Sequence, residues 1–261
     1  MRSKYLCYIL LVTGIGYSLN GQQSEPPKGK ISAVEILERN LIATGGLEAH
    51  KALETLVASG EFRLNNTDRI GDYKFFYKGP GNDMLEIRRI SYGFNWTGHH
   101  GHKSVIGATS EGLRPPNPGE LCIWCVINGV DTGIVEHDWL MLMQWDFCCA
   151  YESIELIGIG EVDKRPAYGL RFTPKKGGIP FLCFYDRETF LLVRIDRIQR
   201  SRTSRNRAET VDRVESIFRD YRVQGGIKLP FVIAIPRPEG DVVFEVSKMK
   251  TNEAVADSVF K

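Results

Sequence analysis

The stretch EVDKRPAYGLRFTPKKGGIPFLCFYDRETFLLVRID, residues 161–196, reads as three strands separated by tight turns, with nothing in it that looks like a catalytic group. The same pattern continues on both sides. Strand-like segments are predicted at about 154–160, 168–174, 180–186, 190–198, 211–222, 229–235 and 241–250, with clear alternation in LPFVIAI (229–235) and VVFEV (242–246). Turns such as DRET (186–189) and VQGGIK (223–228) are short, and short connections favour antiparallel neighbours.

Upstream, LVASGEFRL (56–64), DYKFFYK (72–78) and DMLEIRRI (83–90) share the period of two, whereas 91–120 is less regular and rich in Gly, Pro and His. LCIWCVI (121–127) reads as a buried strand. Two helical regions interrupt the strands. The first begins near Ile31, where Ser32 and Glu35 form a capping-box pattern, and stops at Gly45-Gly46, with a short second piece over 47–53. The second, HDWLMLMQWDF (137–147), has Asp138 as its expected N-cap and is apolar nearly all round, as a buried helix is. No βαβ alternation and no dividing linker appear. The expected architecture is one α+β domain on a single large antiparallel sheet.

The opening MRSKYLCYILLVTGIGYSLNGQQ places Arg2 and Lys4 before an apolar run, followed by small and polar residues. That order is a secretory signal peptide, taken as residues 1–21, and 22–30 form a polar linker before the domain at 31–261. The run is interrupted by Gly14 and Gly16 and is too short for a span of about 20 residues. Without residues 1–21 the chain carries 32 Lys+Arg against 32 Asp+Glu, so its net charge of zero gives no reason to expect nucleic acid. Five cysteines remain: Cys122, Cys125, Cys148, Cys149 and Cys183. In an oxidising compartment an odd count leaves at least one thiol free unless a second chain pairs with it. Their pairing stays open.

Several motifs could carry chemistry, and each has a plainer account. ATSEG (108–112), with Asp131 and His137 downstream, approaches a nucleophile-elbow pattern, but the prolines after Ser110 cannot continue the helix an elbow requires. His99, His100 and His102 in TGHHGHK could share a metal, yet no carboxylate or cysteine is near in sequence, and a solvated loop cluster is the expectation. CIWC (122–125) has redox spacing but lies in an apolar, strand-like run, where residues three apart point to opposite faces. No catalytic residue, metal site or cofactor is expected. The run RIQRSRTSRNR (197–207) is read as a solvated hairpin tip. Its sharper reading is docking of Arg200, Arg202, Arg205 and Arg207 on anionic lipid or an acidic partner.

Segments 158–177, 184–196, 220–233 (DYRVQGGIKLPFVI) and 251–261 (TNEAVADSVFK), with AVEILERNLIATGGLEAHKALETLVASGEF at 33–62, resemble the periplasmic LolA/LolB-like lipoprotein-carrier superfamily. The nearest likeness is to its outer-membrane lipoprotein-sorting group. The resemblance implies a strongly curved, unclosed antiparallel barrel whose helices cover an apolar concave face able to hold acyl chains. It implies a non-enzymatic carrier of lipid, acylated protein or another apolar ligand, while the signal segment makes the protein exported, periplasmic or secreted, and the arginine run adds an anionic membrane surface as a further partner. On that reading Trp139, Met141, Met143, Trp145 and Trp124 are the candidate apolar contacts. The alternative is an envelope structural or interaction protein with a self-filled core, and an exported hydrolase stands third.

Overall fold

A computed structural model describes residues 31–64, 68–79, 82–89, 93–100, 103–109, 138–139, 141–143, 147, 151–175, 179–202, 209–237 and 240–260. Residues 1–30, read above as signal segment and linker, lie outside the described residues, as do Ser110, Asp131, His137, His102, Trp124, Trp145, Arg205, Arg207, Cys122, Cys125, Cys148 and Cys149.

Helix α1 (Ala33–Ala43) starts where the capping pattern places it: the Ser32 hydroxyl accepts from the Glu35 backbone N–H at 3.1 Å. It buries Ile36 and gives way at Thr44 to Gly45-Gly46 and the short helix α2 (Leu47–Ala52). Twelve strands come next in the described residues: β1 (Thr55–Leu64), β2 (Asp68–Lys78), β3 (Asn82–Arg89), β4 (Gly93–His100), β5 (Lys103–Thr109), β6 (Tyr151–Val162), β7 (Arg165–Pro174), β8 (Phe181–Asp186), β9 (Leu192–Arg202), β10 (Glu209–Gln224), β11 (Ile227–Ile235) and β12 (Val242–Thr251). All join one antiparallel sheet in the order β5-β4-β3-β2-β1-β12-β11-β10-β9-β8-β7-β6. Two meanders, β1–β5 and β6–β12, therefore meet at the β1–β12 pair.

Turn chemistry explains the tight connections. Gly225 and Gly226, with φ of 58° and 83°, make the two-residue link between β10 and β11, a geometry that twists with the strands it joins. The Asp186 carboxylate accepts from the backbone N–H groups of Glu188 and Thr189 and from the Thr189 hydroxyl, locking the β8–β9 turn. Burial works against its charge, but these bonds and Arg165 hold the carboxyl below the ordinary carboxylate range.

One face of the sheet, the inner face, carries the main core. Leu56, Ala58 and Phe62 of β1, Tyr73 and Phe75 of β2, Phe244 of β12, Ile233 of β11, Phe218 of β10, Ile195 of β9, Cys183 of β8 and Leu170 of β7 form one contiguous cluster there with Ile36 of α1. On the outer face, Val255 and Val259 of the C-terminal segment cover Val57 and Phe76, and Val162, Ala167 and Phe184 form a second patch. Edge strand β6 is guarded against chance pairing by irregular register and by exposed Glu152, Glu155 and Glu161.

The C-terminal end of α1 docks on the β10–β11 turn. The Thr44 carbonyl accepts from Lys228 N–H at 2.9 Å, and a Cβ placed on Gly45 would lie 2.2 Å from the Gly226 carbonyl oxygen. Gly45 also holds φ at 122°. Gly45→Ala is expected to destabilise the protein by about 1–3 kcal/mol, because the backbone contact must open. Urea denaturation checks this, and a neutral result would mean that α1 does not need its close seat.

Two sequence expectations need correction. The irregular region 91–120 contains β4 and β5, which pair with β3 and each other, so His99 and His100 are strand residues opposite Ser104 and Lys103 rather than loop residues. The arginine stretch is not simply a tip either, because Arg197, Arg200 and Arg202 lie within β9, whose pairing with β10 runs out to Arg202↔Glu209.

Candidate functional site

The inner face is covered from within by the apolar segment read as a helix: residues 138–139 and 141–143 are helical. Trp139 is 0% exposed, Met141 4% and Met143 5%, and all three belong to the main core. Composition accounts for their burial, since Trp139, Met141, Leu142 and Met143 are all apolar and fall on several faces of the helix.

Four elements hold this helix. Trp139 stacks on Phe75 of β2, with ring centroids 5.4 Å apart and 12° between planes. The Met141 sulfur accepts from the Tyr151 hydroxyl of β6 at 3.0 Å. The Met143 backbone lies beside His50 of α2, whose Nε2 meets the Thr44 hydroxyl at 2.9 Å. Asp138, fully buried, takes a charge-assisted hydrogen bond from the Arg197 guanidinium of β9.

Arg197 reaches the helix because of strand alternation. Ile195 is in the main core and opposes Cys183 on β8 and Ser216 on β10, so Arg197, two residues on, leaves the same face opposite buried Val214. Its side chain is 14% exposed. Burial pushes the Asp138 carboxyl above the ordinary carboxylate range, and Arg197 with nearby Ser216 opposes that shift. The Asp138 Oδ2, the Ser216 hydroxyl and the Trp139 indole nitrogen are buried with no hydrogen-bond partner of good geometry among the described residues. Asp138 thus lies within the helix rather than at its N-cap, and its side chain anchors the helix to the sheet.

His50 gives the site a pH response. Burial pushes its pKa below the ordinary 6.5, against a smaller opposing effect of the Met143 backbone. A base with a lowered folded pKa binds fewer protons folded than unfolded. Its contribution is therefore intact above pH 6.5 and lost as the pH falls below that value. Melting temperature is expected to decline toward acid more steeply in the wild type than in His50→Gln. Parallel pH profiles would show that His50 is not the group responsible.

The structure thus brings together Asp138, Trp139, Met141 and Met143, and adds Arg197, Ser216, Tyr151 and His50, which sequence reading did not connect with them. Arg200 and Arg202 fall farther along β9. Cys183 is a free, buried thiol in the core, its pKa raised by burial. Among the described residues no cluster of three or more His, Cys, Asp or Glu could hold a metal ion, and no helix is long and apolar enough to cross a membrane.

Comparison with solved structures bears on this arrangement at the level of the fold. By fold, the chain is similar to a DUF1329 family protein. That crystal structure, from Desulfovibrio piger, aligns with a TM-score of 0.57 at 14% identity, covering 88% of this chain and 97% of the other. A Vibrio parahaemolyticus domain named for outer-membrane lipoprotein sorting aligns at 0.42, with 11% identity over 88% of this chain and 97% of the other. The Mycobacterium tuberculosis lipoprotein LppX aligns at 0.26, with 11% identity over 85% of this chain and 97% of the other. No protein-family model and no curated protein sequence matches the chain. The unclosed antiparallel sheet with helices on its inner face, expected from the LolA/LolB-like resemblance, is the architecture observed.

Proposed function

We propose that this protein is an exported, non-enzymatic binder of a lipid or other acyl-bearing ligand in the cell envelope, with the inner face as its site and the helix bearing Asp138, Trp139, Met141 and Met143 as the element that gives way. The carrying observation is how that helix is held. Its apolar contacts include two flexible methionines beside Leu142 and one stacked indole, and its polar ties run to three separate elements, β6, β9 and α2. Methionine adapts to partners of different shape, so the same surface can accept a chain in place of the helix. Each CH₂ moved from water to that face contributes about 0.8 kcal/mol.

Met141→Ala, read by thermal melting and by titration with a fluorescent fatty-acyl probe, tests this. A ligand-facing methionine loses affinity with little loss of stability. A self-filled core loses about 2–5 kcal/mol on the same change. Wild-type protein that takes up no probe, together with that larger loss, would favour the second reading, an envelope protein whose inner face is filled by its own side chains. The stacking of fully buried Trp139 on Phe75 is the observation that favours it.

Arg200 and Arg202 toward the far end of β9, with Arg205 and Arg207 after them in sequence, form a separate proposal, contact with anionic membrane. Changing Arg200, Arg202, Arg205 and Arg207 together to Ser is expected to weaken binding to anionic vesicles, each charge contributing about 1 kcal/mol at the surface. Added salt should mimic the change. Co-sedimentation at low salt that is the same for both proteins would leave these side chains to the solvent.

A further inference from the structure

The binding proposal leaves the polar end of the ligand unspecified, and the Asp138–Arg197 contact addresses it. Arg197 projects from a wall of apolar neighbours, with Val214 directly across on β10 and Ile195 two residues back, both buried. The carboxylate that meets it belongs to the covering helix, not to the sheet. Beside it the fully buried Ser216 hydroxyl faces the same Asp138 carboxylate and favours its charged form, without reaching a hydrogen bond of good geometry to it.

Moving the helix aside changes the electrostatics of this wall. A neutral ligand would replace the helix's apolar contacts but take the Asp138 carboxylate away from a guanidinium held in low-dielectric surroundings. Separating a buried pair in that way is strongly unfavourable. A ligand with its own anion would exchange one charge-assisted contact for another, and Ser216 would supply a further donor. A ligand can shift such an equilibrium only by its differential affinity for the two states, and here the differential lies at the anion.

Resting on the binding proposal, we infer that the inner face selects amphiphiles with an anionic head, a carboxylate or phosphate, which displaces the Asp138 carboxylate from Arg197 and Ser216. Asp138 is then an internal stand-in for the head group, and the helix that bears it competes with the ligand for the same site.

The test titrates wild-type protein, Asp138→Asn and Asp138→Asn/Arg197→Met with cis-parinaric acid and with its methyl ester, read by probe fluorescence and melting temperature. Wild type is expected to bind the acid roughly ten-fold more tightly than the ester, a difference of about 1.4 kcal/mol. Asp138→Asn, lacking the internal competitor, should widen that preference and be stabilised by the acid alone. The double variant should bind both probes alike, and the comparison of wild type with the double variant stands even where Asp138→Asn folds poorly. Equal binding of acid and ester by wild type would overturn head-group selection and leave the binding proposal intact. Stabilisation of Asp138→Asn by inorganic phosphate as strongly as by the acid would overturn an amphiphile as the occupant. Failure of all three proteins to take up either probe would overturn the binding proposal itself, and this inference with it.

Discussion

Arg197→Ala is expected to lower the unfolding free energy by about 3–5 kcal/mol, because it leaves the fully buried Asp138 carboxylate without its guanidinium. Most of that loss should return in Asp138→Asn/Arg197→Met, where no charge remains to be solvated. Replacing a buried ion pair with apolar groups of similar volume is often neutral or stabilising. Urea denaturation of the three proteins measures both effects. A loss below about 1 kcal/mol for the single change would place the pair among surface contacts and remove its claim to anchor the helix.

Trp139→Ala is expected to cost a similar amount, about 3–5 kcal/mol, through the void left against Phe75. A double-mutant cycle with Phe75→Ala should give a coupling of about 0.5–1.5 kcal/mol for the stacked rings. The change also separates the two functional readings. If the helix competes with a ligand, weakening its seat raises the share of protein with the face open, and acyl-probe affinity rises as stability falls. In a self-filled protein stability falls and no binding appears.

The sheet was largely legible in the sequence where alternation was regular and turn chemistry explicit. LPFVIAI became the core of β11, Gly225-Gly226 became the β10–β11 turn, and Ser32 capped α1. Strands β4 and β5 were not legible. Gly93, Gly98 and Gly107 dilute their hydrophobic pattern, and what makes them strands is pairing with β3 and with each other, a tertiary effect. The burial of the internal helix was readable from its composition, but its anchorage was not. Asp138 and Arg197 are 59 positions apart, and each has an ordinary local use, one as a helix cap and the other as a hairpin charge. The alternation did hold the clue, since an inward Ile195 requires an inward Arg197.

The junction between the two meanders also bears on how the chain reaches this shape. Every other pairing in the sheet joins strands adjacent in sequence, with β5 and β6 at its two ends. The β1–β12 seam instead brings together residues such as Glu54 and Asn252, linked by a hydrogen bond across 198 positions. Closing so long a loop carries an entropy that nearest-neighbour hairpins avoid, and non-local pairing slows folding. The meanders are therefore expected to form first and the seam to zip last, with Asn252 as its clasp. Mutations at the seam should then chiefly accelerate unfolding and leave the refolding rate nearly unchanged.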